Sequence, residues 1–210
     1  MDGLLVDSEP EWLLTEEEIA GELGLSWDES DQAYCLGGPL LKVGQYMATR
    51  AGLALAEGAR IEQDLVSRMV VRVGGGVRAM PGAKELIAEL RSAGIPIALV
   101  SASPRRLVDA AISGAGLHGF HTIVAGDEVP RTKPFPDPYL EAARRLGVSA
   151  TDCVVLEDSA TGVAAGVASG AMVIAIPHLV PIAPAARLLV ETTLTNISSQ
   201  YLTDCFIEQI

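Results

Sequence analysis

At 210 residues the chain can form one large domain, or a core with a smaller companion. Its hydrophobic content of 49% is ample for a sizeable core, and a formal net charge of −12 argues against the basic face that general nucleic-acid binding needs. The same charge leaves anionic substrates open, because a bound cation reverses the local sign.

The chain opens on Met1-Asp2-Gly3-Leu4-Leu5-Val6-Asp7, an Asp-Gly turn signal of the kind that follows a buried strand, with no strand before it. Helical spacing then predicts helices over Glu11–Leu23, ended by Gly24, and over Asp28–Leu36. Two more are predicted over Leu40–Ala51, stopped near Gly52, and Ile61–Val73, closed by Gly74-Gly75-Gly76. Nothing up to about Ala79 reads as a strand, so this stretch is expected to be a small helical bundle. From Pro81 the pattern alternates. Helices are predicted at Gly82–Ala93, Arg105–Ala115, Asp137–Leu146 and Thr161–Ser169, and strands at Ile95–Val100, His121–Ala125, Cys153–Leu156 and Met172–Ile176. Such alternation predicts parallel βαβ units with right-handed crossovers. The tail after Pro184 is hard to read beyond a short strand at Leu188–Val190. Cys35, Cys153 and Cys205 are odd in number and far apart, without metal-ligand spacing, and read as reduced thiols. No basic-then-apolar leader opens the chain, and no apolar run reaches the ~20 residues of a membrane span. A soluble, cytoplasmic protein with no membrane partner is the expectation.

In open parallel sheets ligands bind beyond the carboxyl ends of the strands, and the singular polar residues fall there. Ser101 follows Ile97-Ala98-Leu99-Val100. Glu157 and Asp158 follow Val154-Val155-Leu156. Lys133, one of three lysines, lies in the Pro-stiffened loop after the His121 strand, and Asp2 would share that edge if a strand preceded it. A hydroxyl, an ammonium and adjacent carboxylates on one rim suit a phosphate with a divalent cation. Each residue also has a plainer reading. Ser101 with Ser103-Pro104 can cap the next helix, Lys133 can be a solvated loop lysine, Glu157-Asp158 can complement a helix N-terminus, and Asp2-Gly3 can be a turn alone. His118, His121 and His178 lack ligand spacing and read as structural. Trp12 and Trp27 read as packing within the helical segment.

Together and in this order, these segments resemble the haloacid dehalogenase-like superfamily, in its phosphatase and β-phosphoglucomutase-like branch with a small helical cap. Asp2-Gly3-Leu4-Leu5-Val6-Asp7-Ser8 resembles the end of the first family motif. Val100-Ser101 resembles the second, Lys133-Pro134-Phe135-Pro136-Asp137-Pro138 the third, and Leu156-Glu157-Asp158-Ser159-Ala160-Thr161-Gly162 the fourth. The resemblance implies an α/β fold. Residues 1–8 and 80–210 would form a Rossmann-like core with a parallel sheet, and residues 9–79 a helical cap that closes over the site. It implies an aspartyl-phosphate mechanism in which Asp2 is the general acid and base. Ser101, Ala102 and Lys133 would bind phosphate, and Asp2, Glu157 and Asp158 would hold Mg²⁺. A small phosphorylated metabolite is the implied substrate.

The family's nucleophilic Asp stands two residues before Asp2, a position this chain does not contain. The expectation is a start taken from an internal Asp-Met-Asp-Gly, and an inactive chain as it stands. The presence of Asp2 favours phosphoryl transfer over carbon–halogen cleavage, as the resemblance implies. Lys42, in the cap, has nothing that marks it as the Schiff-base lysine of phosphonate-cleaving relatives. Leu36-Gly37-Gly38-Pro39-Leu40-Leu41 stands where β-phosphoglucomutases carry a segment resembling Arg-Gly-x-Ser-Arg, which favours hydrolysis over a mutase that must hold a second phosphate. The alternatives are a β-phosphoglucomutase-type phosphotransferase and a non-catalytic binding or regulatory protein of the same fold.

Overall fold

The structure, a computed structural model, describes residues 1–35, 39–178, 181–184 and 188–207. Four helices come first: α1 (Glu9–Glu22), α2 (Glu29–Cys35), α3 (Leu40–Arg50) and α4 (Gly58–Gly74). The alternating part follows with α5 (Ala83–Ser92), β1 (Ala98–Val100), α6 (Arg105–Gly114), β2 (Thr122–Val124), α7 (Asp137–Leu146), β3 (Val154–Glu157), α8 (Ala160–Ala168), β4 (Met172–Ala175), β5 (Leu188–Val190) and α9 (Ser199–Ile207). Leu36, the last residue of the second expected helix, lies outside the described residues, as do Gly37 and Gly38.

Every strand pairing is parallel, as the alternation predicts. β1 pairs with β2, with Leu99 opposite Ile123, and β4 lies between β3 and β5, with Val173 opposite Val155 and Leu188. The described strands form two groups, β1–β2 and β3–β4–β5. β4 is buried along its whole length. Its side chains alternate: Met172 and Ile174 enter the larger apolar cluster, while Val173 and Ala175 enter a second one with Val155, Val163 and Ala165. A strand covered on both faces has no reason to alternate polar and apolar residues, so it reads as a continuous apolar run.

α8 is made of small residues because it lies close on the sheet. A side chain at Gly166 would meet Val173 Cγ2 at 2.9 Å and Val155 Cγ1 at 3.2 Å. The strand predicted at Ile95–Val100 is shorter than expected, because its first residues finish the preceding helix. Gly94 turns with φ +70°, and the Ile95 N–H reaches back to the Leu90 carbonyl at 2.9 Å. This is the glycine-plus-apolar helix stop, in which an apolar residue belongs to the cap rather than the strand.

The four leading helices carry their own apolar cluster of Ile19, Val43, Met47, Ala48, Ile61 and Leu65. α4 enters both clusters, since Val66, Met69 and Val73 pack with Val6, Leu107 and Val108 of the alternating part. No strand was expected before Ala79, yet Val6 forms an antiparallel bridge with Ala79. The Asp7 N–H donates to the Arg78 carbonyl at 2.9 Å, and the Met80 N–H to the Leu5 carbonyl at 2.9 Å. The two chain crossings between the helical and alternating parts are therefore tied side by side. The final helix α9 was not foreseen in the hard-to-read tail; its Cys205 joins the larger cluster.

Candidate active site

The carboxyl ends of β1 and β3 come together around a cavity of about 520 Å³, roofed by α1, α3 and α4. Asp2, Ser101, Ala102, Lys133, Glu157 and Asp158 all line it. The six residues singled out from the sequence thus converge on one place, though four separate segments supply them.

The opening loop sits between the two strand groups. The Gly3 N–H donates to the Val6 carbonyl at 3.0 Å, closing a tight turn in which Gly3 has φ +70°. A Cβ at Gly3 would lie 2.6 Å from Asp158 Oδ2, so the site needs glycine here for space as well as for conformation. Asp2 is held at both oxygens: the Ser8 hydroxyl donates to Oδ1 at 2.6 Å, and the Ser103 hydroxyl to Oδ2 at 3.3 Å. Ser8 is fully buried and Ser103 nearly so. Neither partner was foreseen, although Ser103 stands only two residues after Ser101.

Ser101 is 3% exposed. Its backbone N–H donates to the Val124 carbonyl at 3.0 Å, which extends the β1–β2 pairing by one residue, and its Oγ accepts from the Ser103 N–H at 3.1 Å. Among the described residues its hydroxyl proton has no acceptor, which suits it to donate to a ligand. The Ala102 N–H has no acceptor among the described residues. Gly126, after β2, allows this loop to sit close, because any side chain there would overlap the Ala102 carbonyl.

Lys133 is fixed from three sides. Its ammonium donates to the Val100 carbonyl at 3.2 Å, pairs with Glu157, and lies 5.2 Å from the centre of the Tyr139 ring. With side chains 8% and 5% exposed, Lys133 and Glu157 form a buried pair. An ammonium has three donors, and two are used here, leaving one for the cavity. Glu157 also accepts from the Tyr139 hydroxyl and, at 3.2 Å, from the Ser159 hydroxyl. Gly162 on α8 leaves room for this carboxylate, since any Cβ there would overlap it. Burial pushes the Glu157 carboxyl up, but Lys133 and the amino terminus, with hydrogen bonds from Lys133 and Tyr139, hold it below its ordinary range. Burial pushes the Tyr139 phenol well above its usual value, and Glu157 adds to the rise. Tyr139 was not anticipated; on α7 it reads as one more apolar position.

Asp158 is raised by burial, the amino terminus opposing and Glu157 adding to the rise. Glu9, at the start of α1, is pushed up to about 7 by burial and then by Asp2, Asp158 and Asp7. Trp12 was expected to pack within the helical segment. It also lines the cavity and packs on the larger core cluster, because the first turn of α1 lies over the strand ends. Lys42 is spent elsewhere, donating to the Tyr34 carbonyl at 3.2 Å and lying over the Tyr34 ring. His121 accepts from the Ile97 N–H at its Nδ1, a structural role as read from the sequence.

A profile described as haloacid dehalogenase-like hydrolase matches residues 1–170. The bifunctional riboflavin kinase/FMN phosphatase of Arabidopsis thaliana is 46% identical over 105 residues, which is 49% of this chain and only 28% of the plant protein. Hexitol phosphatase B of Escherichia coli O157:H7 is 29% identical over 206 residues, covering 97% of this chain and 90% of its own. Among solved structures, CbbY from Rhodobacter sphaeroides in complex with xylulose-(1,5)bisphosphate aligns with a TM-score of 0.75 at 29% identity, over 90% of each chain.

Proposed function

The chain belongs to the haloacid dehalogenase-like hydrolase family, and from that premise we propose that it is a Mg²⁺-dependent phosphatase of small phosphorylated metabolites. The observation that carries this reading is the convergence of Asp2, Ser101, Lys133 and Asp158 on one cavity at the strand ends. Phosphatase names among the relatives support it, as does a sugar bisphosphate bound by one of them.

The roles follow from what each group can do. Ser101 Oγ–H, the Ala102 N–H and the free Lys133 proton are donors for the oxygens of a phosphoryl group. Glu157 and Tyr139 hold the ammonium in place, so that the positioning precedes binding. Asp2, with both oxygens fixed by Ser8 and Ser103, is the acid and base that protonates the leaving oxygen and deprotonates the incoming water. Residues 9–79 act as the cap that excludes water and meets the rest of the substrate.

The donor chemistry fits Mg²⁺. Among the described residues, no three His, Cys, Asp or Glu side chains close around one point as a metal cage. Mg²⁺ does not require one, since it keeps several waters and binds through one or two carboxylates plus phosphate oxygens. Asp158 is half-buried near Asp2 and Glu9 without a cationic side chain bonded to it among the described residues, an imbalance that a cation relieves. Asp2, Asp158 and Glu157 are the residues that would hold it. When bound, the ion supplies charge neutralisation for the phosphoryl group.

The attacking carboxylate of the family pattern belongs immediately before Met1. The test is therefore to extend the chain at that end with an apolar strand ending in Asp, and to assay phosphate release with Mg²⁺ across sugar, polyol and nucleotide monophosphates. Release is expected from the extended chain and not from the chain of residues 1–210. In the extended chain, Asp2→Asn is expected to lower the rate by about 10²–10⁴-fold. If no monophosphate is turned over by the extended chain, the phosphatase reading fails. A folded, inactive product that still binds phosphate would favour a non-catalytic binding protein.

A further inference from the structure

The cavity is not balanced in charge. Among the described residues, Lys133 is the single lysine or arginine lining it, and that ammonium is already paired with Glu157. From α1 and α4 the same cavity receives Glu9, Glu16 and Glu62. None of the three has a cationic partner among the described residues. Their neighbours on α1 do: Glu18 and Glu22 pair with Arg72 and Arg68 of α4, on the outer face of the same helix pair. The helical segment thus keeps its arginines outside and turns unpaired carboxylates inward.

Glu16 is the sharpest case. It is 7% exposed. Its Oε2 accepts from the Trp27 indole N–H at 3.2 Å, while Oε1 has no protein donor among the described residues and is not sealed from the cavity. Oε1 thus opens onto the cavity as an acceptor that a hydrogen-bond donor on a ligand can meet. Burial, the leading cause, also holds Glu16 up at about 7.

Resting on the phosphatase reading above, we infer that Glu16, supported by Glu9 and Glu62, selects the part of the substrate away from the phosphate. It selects a tail that donates hydrogen bonds and bears no anionic group, a polyol or an amine-bearing sugar. A hydroxyl or ammonium completes Glu16, and Trp12 and Leu40 offer apolar wall to the carbon chain. A second phosphate or a carboxylate beside Glu16 and Glu62 meets repulsion with no lysine or arginine among the described lining residues free to offset it, which is how a site rejects a near neighbour of its substrate.

The test is calorimetric titration of the chain in Mg²⁺ with inorganic phosphate and four ligands of equal carbon length. These are a hexitol monophosphate, an amino-hexose monophosphate, an aldonic-acid monophosphate and a hexose bisphosphate. Inorganic phosphate is expected to bind. The hexitol or the amino sugar is expected to bind at least about tenfold tighter than the acid or the bisphosphate, and the tighter of the two identifies the donor. Glu16→Gln keeps an acceptor for Trp27 and removes the charge, and is expected to shrink that gap at least about threefold. Should this variant fail to fold, Glu62→Gln is expected to move the gap in the same direction. Phosphate binding with equal affinity for anionic and neutral tails would overturn the inference and leave the phosphatase reading standing. Absence of all phosphate binding would overturn both.

Discussion

Lys133 carries its charge on a side chain 8% exposed, against a Glu157 side chain 5% exposed. Removing one member of such a pair strands the other in a poor dielectric, at a cost of about 3–5 kcal/mol, whereas neutralising both is far milder. Lys133→Met is therefore expected to lower the unfolding free energy by about that amount in urea titrations. The double variant Lys133→Met with Glu157→Gln should recover most of the loss yet still bind phosphate poorly. A single-variant cost under about 1 kcal/mol would mean that the pair is hydrated rather than buried. At this scale Ser101 and Asp158 stand out in the sequence because each follows closely on an apolar run, and Lys133 because it is one of three lysines and lies in a Pro-stiffened loop. Ser8, Ser103 and Tyr139 could not, because a serine or tyrosine becomes a positioning group only through what the fold sets beside it.

Among the elements, α3 and α4 show how closely helices approach where glycines meet. A side chain at Gly44 would overlap the Gly58 carbonyl, and one at Gly58 would lie 2.6 Å from Gln45 Cγ. Helix propensity alone favours Ala over Gly by about 1 kcal/mol, but backbone on the far side cannot yield as a flexible side chain can. Gly44→Ala is expected to destabilise by about 1–3 kcal/mol, a melting temperature lower by about 2–4 °C per kcal/mol. Gly21→Ala, on α1 with open space around it, is the matched control and is expected to melt at the same temperature or higher. Thermal melts of the two variants decide whether propensity or packing governs. Helices were well placed from the sequence, Asp137–Leu146 to the residue, because proline starts and glycine stops are local signals. The first residues of the β1 run were misassigned because an apolar residue after a helix-ending glycine serves the cap and the strand alike.

For the whole molecule, the cavity lies where the helical and alternating parts meet, and its burial of carboxylates links folding to pH. Glu16 is pushed up to about 7 from its ordinary 4.5, by burial first, the Trp27 N–H opposing and Glu9 adding to the rise. The folded chain holds this proton more tightly than the unfolded one. That contribution to stability is full below about pH 4.5 and is lost as the pH climbs to about 7. Melting temperatures across that window should fall more steeply for the unsubstituted chain than for Glu16→Gln, and parallel curves would show that Glu16 does not carry the effect. By itself the sequence determined the α/β class and the parallel strands, and it marked a leading run of helices and the polar residues near the strand ends, since periodicity, turn residues and short motifs are all written within a few positions of one another. Only the tertiary structure decided that Asp2 is gripped by Ser8 and Ser103, that Glu157 holds Lys133, and that Glu9, Glu16 and Glu62 face the same cavity. Apart from the Asp2–Ser8 contact within the opening loop, those relations reach between separate elements, and they exist only once packing has brought the segments within hydrogen-bonding and Coulombic reach.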